Sequence, residues 1–129
     1  GLGDVYKRPA QAPAIFIAAA CAEGVTSLRG ASELRVKESD RIEVMANGLK
    51  MLGVDVKTYS DGIDIHGCPS FGGGAIHSDG DHRIAMSFAI ASLRARASIE
   101  ISGCEAIATS FPEFVELATR AGIELRTEP

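Results

Sequence analysis

The feature of this sequence that most restricts its fold is an internal repeat. An apolar helix, a short strand ending in glycine, a long loop, a capped amphipathic helix, another glycine and a strand occur in order around residues 13–58 and again around 83–126. A unit of this kind cannot bury its apolar faces alone, so its copies pack together around a shared core. The repeat therefore predicts an α/β fold in which helices back a mixed sheet.

Apolar spacing and helix-capping residues predict the helices. Pro13 suits the first turn of the first helix. The second helix follows Glu38, because Asp40 and Glu43 form a capping box ahead of apolar residues three and four positions apart. The third helix spans about residues 81–94 and is apolar on most faces, which predicts a buried helix.

Short strands and loops are predicted between these helices. Residues 25–29 are predicted to form a strand, and residues 30–36 a loop or a brief extended piece. Residues 54–58 and 62–66 carry a turn signal between them, which predicts a hairpin. A glycine-rich loop is predicted at residues 68–74. The remaining predicted elements are a strand at 98–102, a capped helix after Ser110 and a last strand at 123–126.

Composition excludes several classes of function. The 129 residues are 46% hydrophobic and 23% charged, which is typical of one globular domain and not of a disordered or fibrous chain. The net charge is −4, whereas a nucleic-acid binder carries a basic patch, so this class of function is not expected. The longest apolar run, residues 12–22, is too short to cross a bilayer, so no membrane association is expected. Three scattered cysteines predict a cytoplasmic protein without disulfides or structural zinc.

The first residues differ from the rest of the chain. Residues 1–8 show neither a helical nor a strand period and join abruptly to a well-patterned segment. We expect a non-native or disordered start over residues 1–11, and a folded part over residues 12–129. An ordinary frayed terminus is the alternative.

Residues 34–42, LRVKESDRI, are the densest candidate site. They enter the N-terminus of a helix, where free N–H groups and a partial positive charge favour anions. Arg41 is the best anchor in the first turn, because arginine alone can hold a carboxylate or a phosphate bidentately. Glu38 is an acid placed among cations and is a candidate proton-transfer residue. A solvated, salt-bridged helix start is the alternative. The cations of this stretch are Arg35, Lys37 and Arg41.

Residues 79–83, DGDHR, open the third helix and form a second candidate site. Arg83 cannot enter an apolar core unpaired, so it must face solvent, an acid or an anionic ligand. Asp81 is placed to cap the helix, and His82 to orient Arg83. The acids and histidines also leave a metal site open, but their spacing matches no catalytic-metal pattern and helix capping explains the acids. We therefore predict no metal and no other cofactor.

Three motifs, LRVKESDRI, DHRIAMSFAI and TSFPEF, resemble in this order the C-terminal part of the 5-enolpyruvylshikimate-3-phosphate synthases. The similarity covers about residues 13–126, and the wording is most similar to the bacterial class often described as glyphosate-tolerant. The resemblance implies transfer of the enolpyruvyl group from phosphoenolpyruvate to the 5-hydroxyl of shikimate 3-phosphate, with release of phosphate, in aromatic amino-acid biosynthesis. It implies a tetrahedral adduct and no metal.

The resemblance also implies an architecture. The family's enolpyruvyl transferase fold is an inside-out α/β barrel of βαβαββ units, with helices inward and sheets outward. Residues 13–66 and 75–126 would form two of the three units of one domain. The expected partner is the missing N-terminal domain of the same enzyme, which supplies half of the substrate contacts.

Roles for four residues follow from the resemblance alone. Glu38 matches the family's proton-transfer glutamate, and Lys37 matches a lysine on the side of the shikimate 3-phosphate. Arg41 and Arg83 match the arginines that clamp phosphoenolpyruvate. These are also the arginines for which the residue-based reasoning found no apolar partner.

The sequence departs from the family pattern in places. Ala10 and Gln11 stand where the family has an aspartate and a glutamate, which we interpret as truncation. In addition, Thr109 stands before Ser110 at a position where some members of the family have a lysine. We expect a fragment that is inactive alone. One alternative is an inert anion-binding or interaction module. Another is a UDP-N-acetylglucosamine enolpyruvyl transferase, which lacks the paired motifs at 34–42 and 81–90.

Overall fold

The computed structural model describes residues 12–37 and 39–103. This part of the chain contains both helices and short strands, as the predicted α/β fold requires. The elements, in chain order, are α1 (Ala12–Cys21), β1 (Val25–Leu28), a 3₁₀ helix (Ser32–Val36), α2 (Arg41–Met51), β2 (Val56–Tyr59), β3 (Gly62–His66), β4 (Gly74–His77), α3 (His82–Ala91), a second 3₁₀ helix (Ser92–Arg94) and β5 (Ile99–Ser102).

The strands form two sheets. In the first sheet, β3 lies between β1 and β2 and pairs antiparallel with both. Its register places Asp64 opposite Ser27 on one side and opposite Lys57 on the other. In the second sheet, β4 pairs parallel with β5. Parallel strands need a crossover connection, and α3 supplies it here.

The core lies between the helices and the first sheet. Large side chains from every layer are fully buried in it, among them Phe16 of α1, Leu49 of α2, Ile63 of β3 and Phe88 of α3. The predicted burial of α3 is confirmed for most of its faces, although Ile90 is 46% exposed. Within the described residues, no helix is long and apolar enough to cross a membrane.

Most of the predicted elements are confirmed, and their ends shift by a few residues. The hairpin forms with its turn at residues 60–61, and Asp40 caps α2 by accepting a hydrogen bond from the Glu43 N–H at 3.1 Å. The glycines that follow β1 and β5, Gly30 and Gly103, both have left-handed φ values, 67° and 72°. This match supports the repeat that the sequence predicted.

One prediction in this region is wrong, and one strand was not predicted. Residues 30–36 are not extended, because Ser32–Val36 forms a 3₁₀ helix whose Leu34 is fully buried in the core. The loop predicted at residues 68–74 leads into a strand, β4, that the sequence reading missed. Four residues with a single buried side chain, Ile76, are too few to show alternation. The predicted helix after Ser110 and the last strand lie outside the described residues.

A glycine sets the close approach of α2 to α3. A Cβ built on Gly48 would overlap the ring edge of Phe88, which is fully buried. Phe88 cannot swing away without moving its neighbours, because protein cores are packed as densely as organic crystals. The distance between the two helices therefore depends on the missing side chain at position 48.

We predict that Gly48→Ala destabilises the chain. Alanine raises helix propensity by about 1 kcal/mol, but overpacking of a core costs about 1–3 kcal/mol, so a net loss is expected. Urea denaturation measures the free energy of unfolding of the Gly48→Ala and unsubstituted chains. The matched control is Gly72→Ala, whose Cβ would meet the Leu52 carbonyl oxygen at an ordinary 3.5 Å, and whose free energy of unfolding should not fall. A Gly48→Ala chain as stable as the control would contradict the packing argument.

Candidate functional site

The N-termini of α2 and α3 meet at a buried ion pair. Arg41, the first residue of α2, donates from Nε to Oδ2 of Asp81 at 2.8 Å, and its Nη2 lies 3.5 Å from Oδ1. Arg41 is 3% exposed and Asp81 is fully buried. The two predicted site stretches, 34–42 and 79–83, are thus brought together by one contact between helices.

Asp81 also caps α3, as the sequence predicted. Its Oδ1 accepts hydrogen bonds from the backbone N–H groups of Arg83 at 3.1 Å and of Ile84 at 3.5 Å. A third segment reaches the same carboxylate, because Ser39 Oγ donates to Oδ2 at 2.8 Å. One carboxylate therefore joins the segment before α2, the start of α2 and the start of α3.

The surroundings of Asp81 keep it ionised. Burial alone raises the pKa of a carboxyl group, but the hydrogen bonds from Arg41 and Ser39, the Arg41 charge and the Ile84 N–H outweigh burial and lower the pKa of Asp81 below its usual value. A buried charge of this kind is tolerated because it is both paired and hydrogen-bonded. The site therefore holds a fixed cation beside a fixed anion.

Arg35 has a different role from the one the sequence suggested. It was one of three cations expected around an anion, but its Nε donates to the carbonyl of Ser60 at 3.0 Å and its Nη2 to that of Tyr59 at 2.6 Å. Its Nη1 donates to Oδ2 of Asp40 at 2.9 Å. Arg35 thus ties the first 3₁₀ helix to the hairpin and to the N-cap of α2.

The other predicted site residues lie close to this pair along the chain. Lys37 is exposed just before α2, and Arg83 is exposed in the first turn of α3. Glu38 lies outside the described residues. The roles assigned to these residues and to Arg41 stay predictions.

Histidine and cysteine side chains are the remaining groups of the described residues with ligand or thiol chemistry. No group of three or more histidine, cysteine, aspartate or glutamate side chains that could hold a metal ion occurs there. His77 Nδ1 lies 4.0 Å from Asp79 Oδ1, and both side chains are exposed. Cys21 and Cys68 are free thiols that pack against the core, and burial raises the pKa of Cys21.

A second ion pair lies on the first sheet. Asp64 of β3 accepts from Arg29 at 2.9 Å and from the Tyr59 hydroxyl at 2.8 Å, and the Arg29 guanidinium stacks 4.0 Å from the centre of the Tyr59 ring. Unlike the Arg41–Asp81 pair, it is partly exposed, with 36% of the Arg29 side chain accessible. It provides a matched comparison for the buried pair.

A pocket of about 350 Å³ lies between α2 and β4. Its walls include Asn47, Met51, Ile76, His77 and Asp79, so the pocket reaches the first residue of the predicted stretch 79–83, but neither Arg41 nor Asp81 lines it. The pocket and the buried ion pair are therefore separate features of the described part of the chain.

Similarity to a known family defines the class of protein to which the chain belongs. The family described as EPSP synthase (3-phosphoshikimate 1-carboxyvinyltransferase) matches residues 3–117. The chain belongs to the EPSP synthase family. This confirms the resemblance found in the three sequence motifs.

Relatives and solved structures agree with this assignment. The chain is 61% identical over 116 residues to the 3-phosphoshikimate 1-carboxyvinyltransferase of Halorhodospira halophila, which covers 90% of this chain and 26% of the relative. It is 62% identical over 113 residues to that of Methylococcus capsulatus, with 88% and 26% covered. The structure of EPSP synthase from Acinetobacter baumannii matches with a TM-score of 0.88 and 56% identity, over 92% of this chain and 28% of that one. The chain thus spans about a quarter of the length of these relatives.

Sequence reasoning missed the link between the two stretches. It identified Arg41 and Asp81 separately and did not single out Ser39. The signal in the sequence was the presence of two oppositely charged residues at two predicted helix starts. However, 40 residues separate Arg41 from Asp81. No local pattern specifies a contact across such a separation.

We predict that Asp81→Asn destabilises the chain and flattens its pH dependence. Removing one partner of a buried ion pair costs about 3–5 kcal/mol. Because the pKa of Asp81 is lowered on folding, the carboxylate contributes stability above its unfolded pKa of about 3.9, and this is lost as the pH falls through the folded pKa. Urea denaturation between pH 7 and pH 3 measures the free energy of unfolding of the unsubstituted and Asp81→Asn chains. The difference between these two free energies should become smaller in acid.

Asp64→Asn is the control for this prediction. Its ion pair is partly exposed, so we expect a loss below about 1 kcal/mol at pH 7. A difference between the unsubstituted and Asp81→Asn chains that stays constant or grows in acid would contradict the ionisation argument.

Proposed function

We propose that this chain forms part of a 3-phosphoshikimate 1-carboxyvinyltransferase. The enzyme would move the enolpyruvyl group of phosphoenolpyruvate to the 5-hydroxyl of shikimate 3-phosphate and release phosphate. The observation that carries the proposal is the 61% identity over 116 residues to the Halorhodospira halophila enzyme of that name. Free thiols at Cys21 and Cys68 agree with a cytoplasmic enzyme of this kind.

The chemistry of the reaction explains why the site carries so many charged groups. Both substrates are anions, so cations must hold them close together. The substrate hydroxyl loses a proton as its oxygen bonds to phosphoenolpyruvate, and the methylene carbon gains one, which gives a tetrahedral adduct. Loss of phosphate and of a proton from the methyl carbon then restores the double bond. Such proton transfers need a positioned acid or base.

The residues of the two joined stretches suit these tasks. In this proposal Glu38 transfers the proton at the methylene carbon and Lys37 contacts shikimate 3-phosphate. Arg41 and Arg83 contact phosphoenolpyruvate. Two observations support the assignment to phosphoenolpyruvate: Arg41 and Arg83 both lie in the first turn of a helix, where anions are favoured, and Asp81 links these two turns.

We further propose that residues 12–129 belong to one enolpyruvyl transferase domain, with repeat units over residues 13–66 and 75–126. The first unit would contain α1 to β3, and the described part of the second would contain all but the first residue of β4, then α3, the second 3₁₀ helix and β5. The partner would be the other domain of the full-length enzyme, since the chain spans about a quarter of its relatives' length.

The proposal can be tested in a chimeric enzyme. The matching 116 residues of this chain would replace their equivalents in the full-length Halorhodospira halophila enzyme. We expect phosphate release that requires both phosphoenolpyruvate and shikimate 3-phosphate. A chimera that unfolds cooperatively but releases no phosphate would show that this segment does not support the reaction.

In this chimera, Glu38→Gln should lower kcat by about 10²-fold or more, which is the range for loss of a general acid or base. The KM values for both substrates should change much less, because the amide keeps the size of the side chain. Glu33→Gln, an exposed acid of the preceding 3₁₀ helix, is the control and should leave kcat unchanged. A near-normal kcat for Glu38→Gln would remove Glu38 from the catalytic role.

Arg83→Ala should raise the KM for phosphoenolpyruvate by about tenfold or more and that for shikimate 3-phosphate far less. The reason is the loss of charge-assisted hydrogen bonds, worth about 1.5–3 kcal/mol, to one substrate only. The control is Arg94→Ala in the second 3₁₀ helix, which follows α3; there the arginine donates to the Pro69 carbonyl at 3.0 Å. Equal increases in both KM values would indicate a structural role for Arg83.

A further inference from the structure

We propose that Asp81 is a positioning residue for the binding of phosphoenolpyruvate. Its carboxylate would hold the Arg41 guanidinium and the first turn of α3, which carries Arg83, in a set arrangement. The inference rests on the proposed function, because it concerns the two arginines assigned there to phosphoenolpyruvate. It goes further by giving a role to an acid that contacts no substrate in that proposal.

The bonding of Asp81 divides between the two helices. Oδ2 accepts from Arg41 Nε and Ser39 Oγ, both at 2.8 Å, so this oxygen faces the start of α2. Oδ1 accepts from the backbone N–H groups of Arg83 and Ile84 at the start of α3, and Arg41 Nη2 also lies 3.5 Å from this oxygen. A rigid carboxylate that bonds to both helix starts fixes the distance between them.

Burial makes this arrangement distinctive. Among the aspartate, glutamate, lysine and arginine side chains of residues 12–37 and 39–103, only Arg41 and Asp81 are classed as buried. A buried ion pair often contributes less to stability than a well-packed apolar pair of similar volume. Stability alone therefore gives a weak reason for this pair, whereas orientation of a cation gives a direct one.

Capping alone does not explain the charge at position 81. Asparagine caps helices about as well as aspartate, so the cap of α3 needs an oxygen acceptor and not a negative charge. The charge is needed for Arg41, because a charge-assisted bond to a carboxylate is shorter and about twice as strong as a neutral one. Asp81→Asn thus separates the two tasks, since it keeps the acceptor and removes the charge.

A fixed guanidinium favours the binding of an anion. An arginine that is already ordered loses little side-chain freedom when the ligand arrives, and a small misplacement of a binding group weakens binding strongly. Loss of the Asp81 charge should therefore weaken the binding of the substrate that Arg41 contacts. The other substrate should be affected little.

The test measures steady-state kinetics in the chimeric enzyme described above, at a temperature where each variant is folded. We expect Asp81→Asn to raise the KM for phosphoenolpyruvate by about tenfold, while the KM for shikimate 3-phosphate changes by less than about threefold. Asp64→Asn breaks the partly exposed pair on the first sheet and should change neither KM. It controls for the loss of an ion pair as such.

A double-mutant cycle with Arg41→Lys distinguishes positioning from general destabilisation. Lysine keeps the charge but cannot make the same forked contact. If Asp81 acts through Arg41, Asp81→Asn should have little further effect once Arg41 is lysine. We expect it to raise the KM for phosphoenolpyruvate of the Arg41→Lys chimera by less than about twofold, compared with about tenfold in the unsubstituted chimera. Fully multiplicative effects would overturn the proposal.

Ser39→Ala provides a second route if Asp81→Asn fails to fold. It removes one hydrogen bond from the same carboxylate oxygen and leaves the ion pair intact. We expect a rise of about threefold in the KM for phosphoenolpyruvate alone. An unchanged KM in this variant would overturn the proposal when Asp81→Asn cannot be studied.

The outcomes separate this inference from the proposed function. A folded, unsubstituted chimera without activity would overturn the function, and this assignment with it. An active chimera in which Asp81→Asn raises both KM values equally, or raises neither, would overturn only the role of Asp81. A selective rise for phosphoenolpyruvate together with a non-multiplicative cycle would support it.

Discussion

The buried ion pair between Arg41 and Asp81 is the interaction on which the candidate site depends. It joins the first residue of α2 to the N-cap of α3, and Ser39 adds a hydrogen bond from the segment before α2. A carboxylate in a core is tolerated only when its bonding capacity is met, and here backbone and side-chain donors meet it from two helices. The arrangement therefore couples the local caps of two helices to the geometry between them.

The surrounding packing determines where that pair can form. Gly48 allows the ring of Phe88 to lie directly against α2, which brings the two helices close together. Arg35 ties the first 3₁₀ helix to the carbonyls of the hairpin and to the Asp40 cap. Arg35 is thus held by the hairpin, and Ser39 is held by Asp81. Such double anchoring restricts the positions of the side chains that it holds.

Membership of the EPSP synthase family gives these contacts a chemical meaning. The sequence motifs identified the family, and the match over residues 3–117 confirmed it. From the motifs one could also predict two candidate stretches, since helix N-termini rich in arginine favour anions. The motifs did not reveal that Arg35 binds carbonyl groups and Asp40, whereas Arg41 pairs with Asp81. Both arginines and both aspartates were visible in the sequence, but their pairing was not.

The sequence alone determined the elements whose causes are local. Apolar spacing placed α1, α2 and α3, capping residues marked the starts of α2 and α3, and a turn signal marked the hairpin, because each depends on residues a few positions apart. Tertiary structure decided the rest. The Arg41–Asp81 pair spans 40 residues, Arg35 reaches carbonyls 24 and 25 residues away, and β4 exists because it pairs with β5. Which donor meets which acceptor at about 3 Å depends on how the helices and sheets pack, and local periodicity carries no information about that distance.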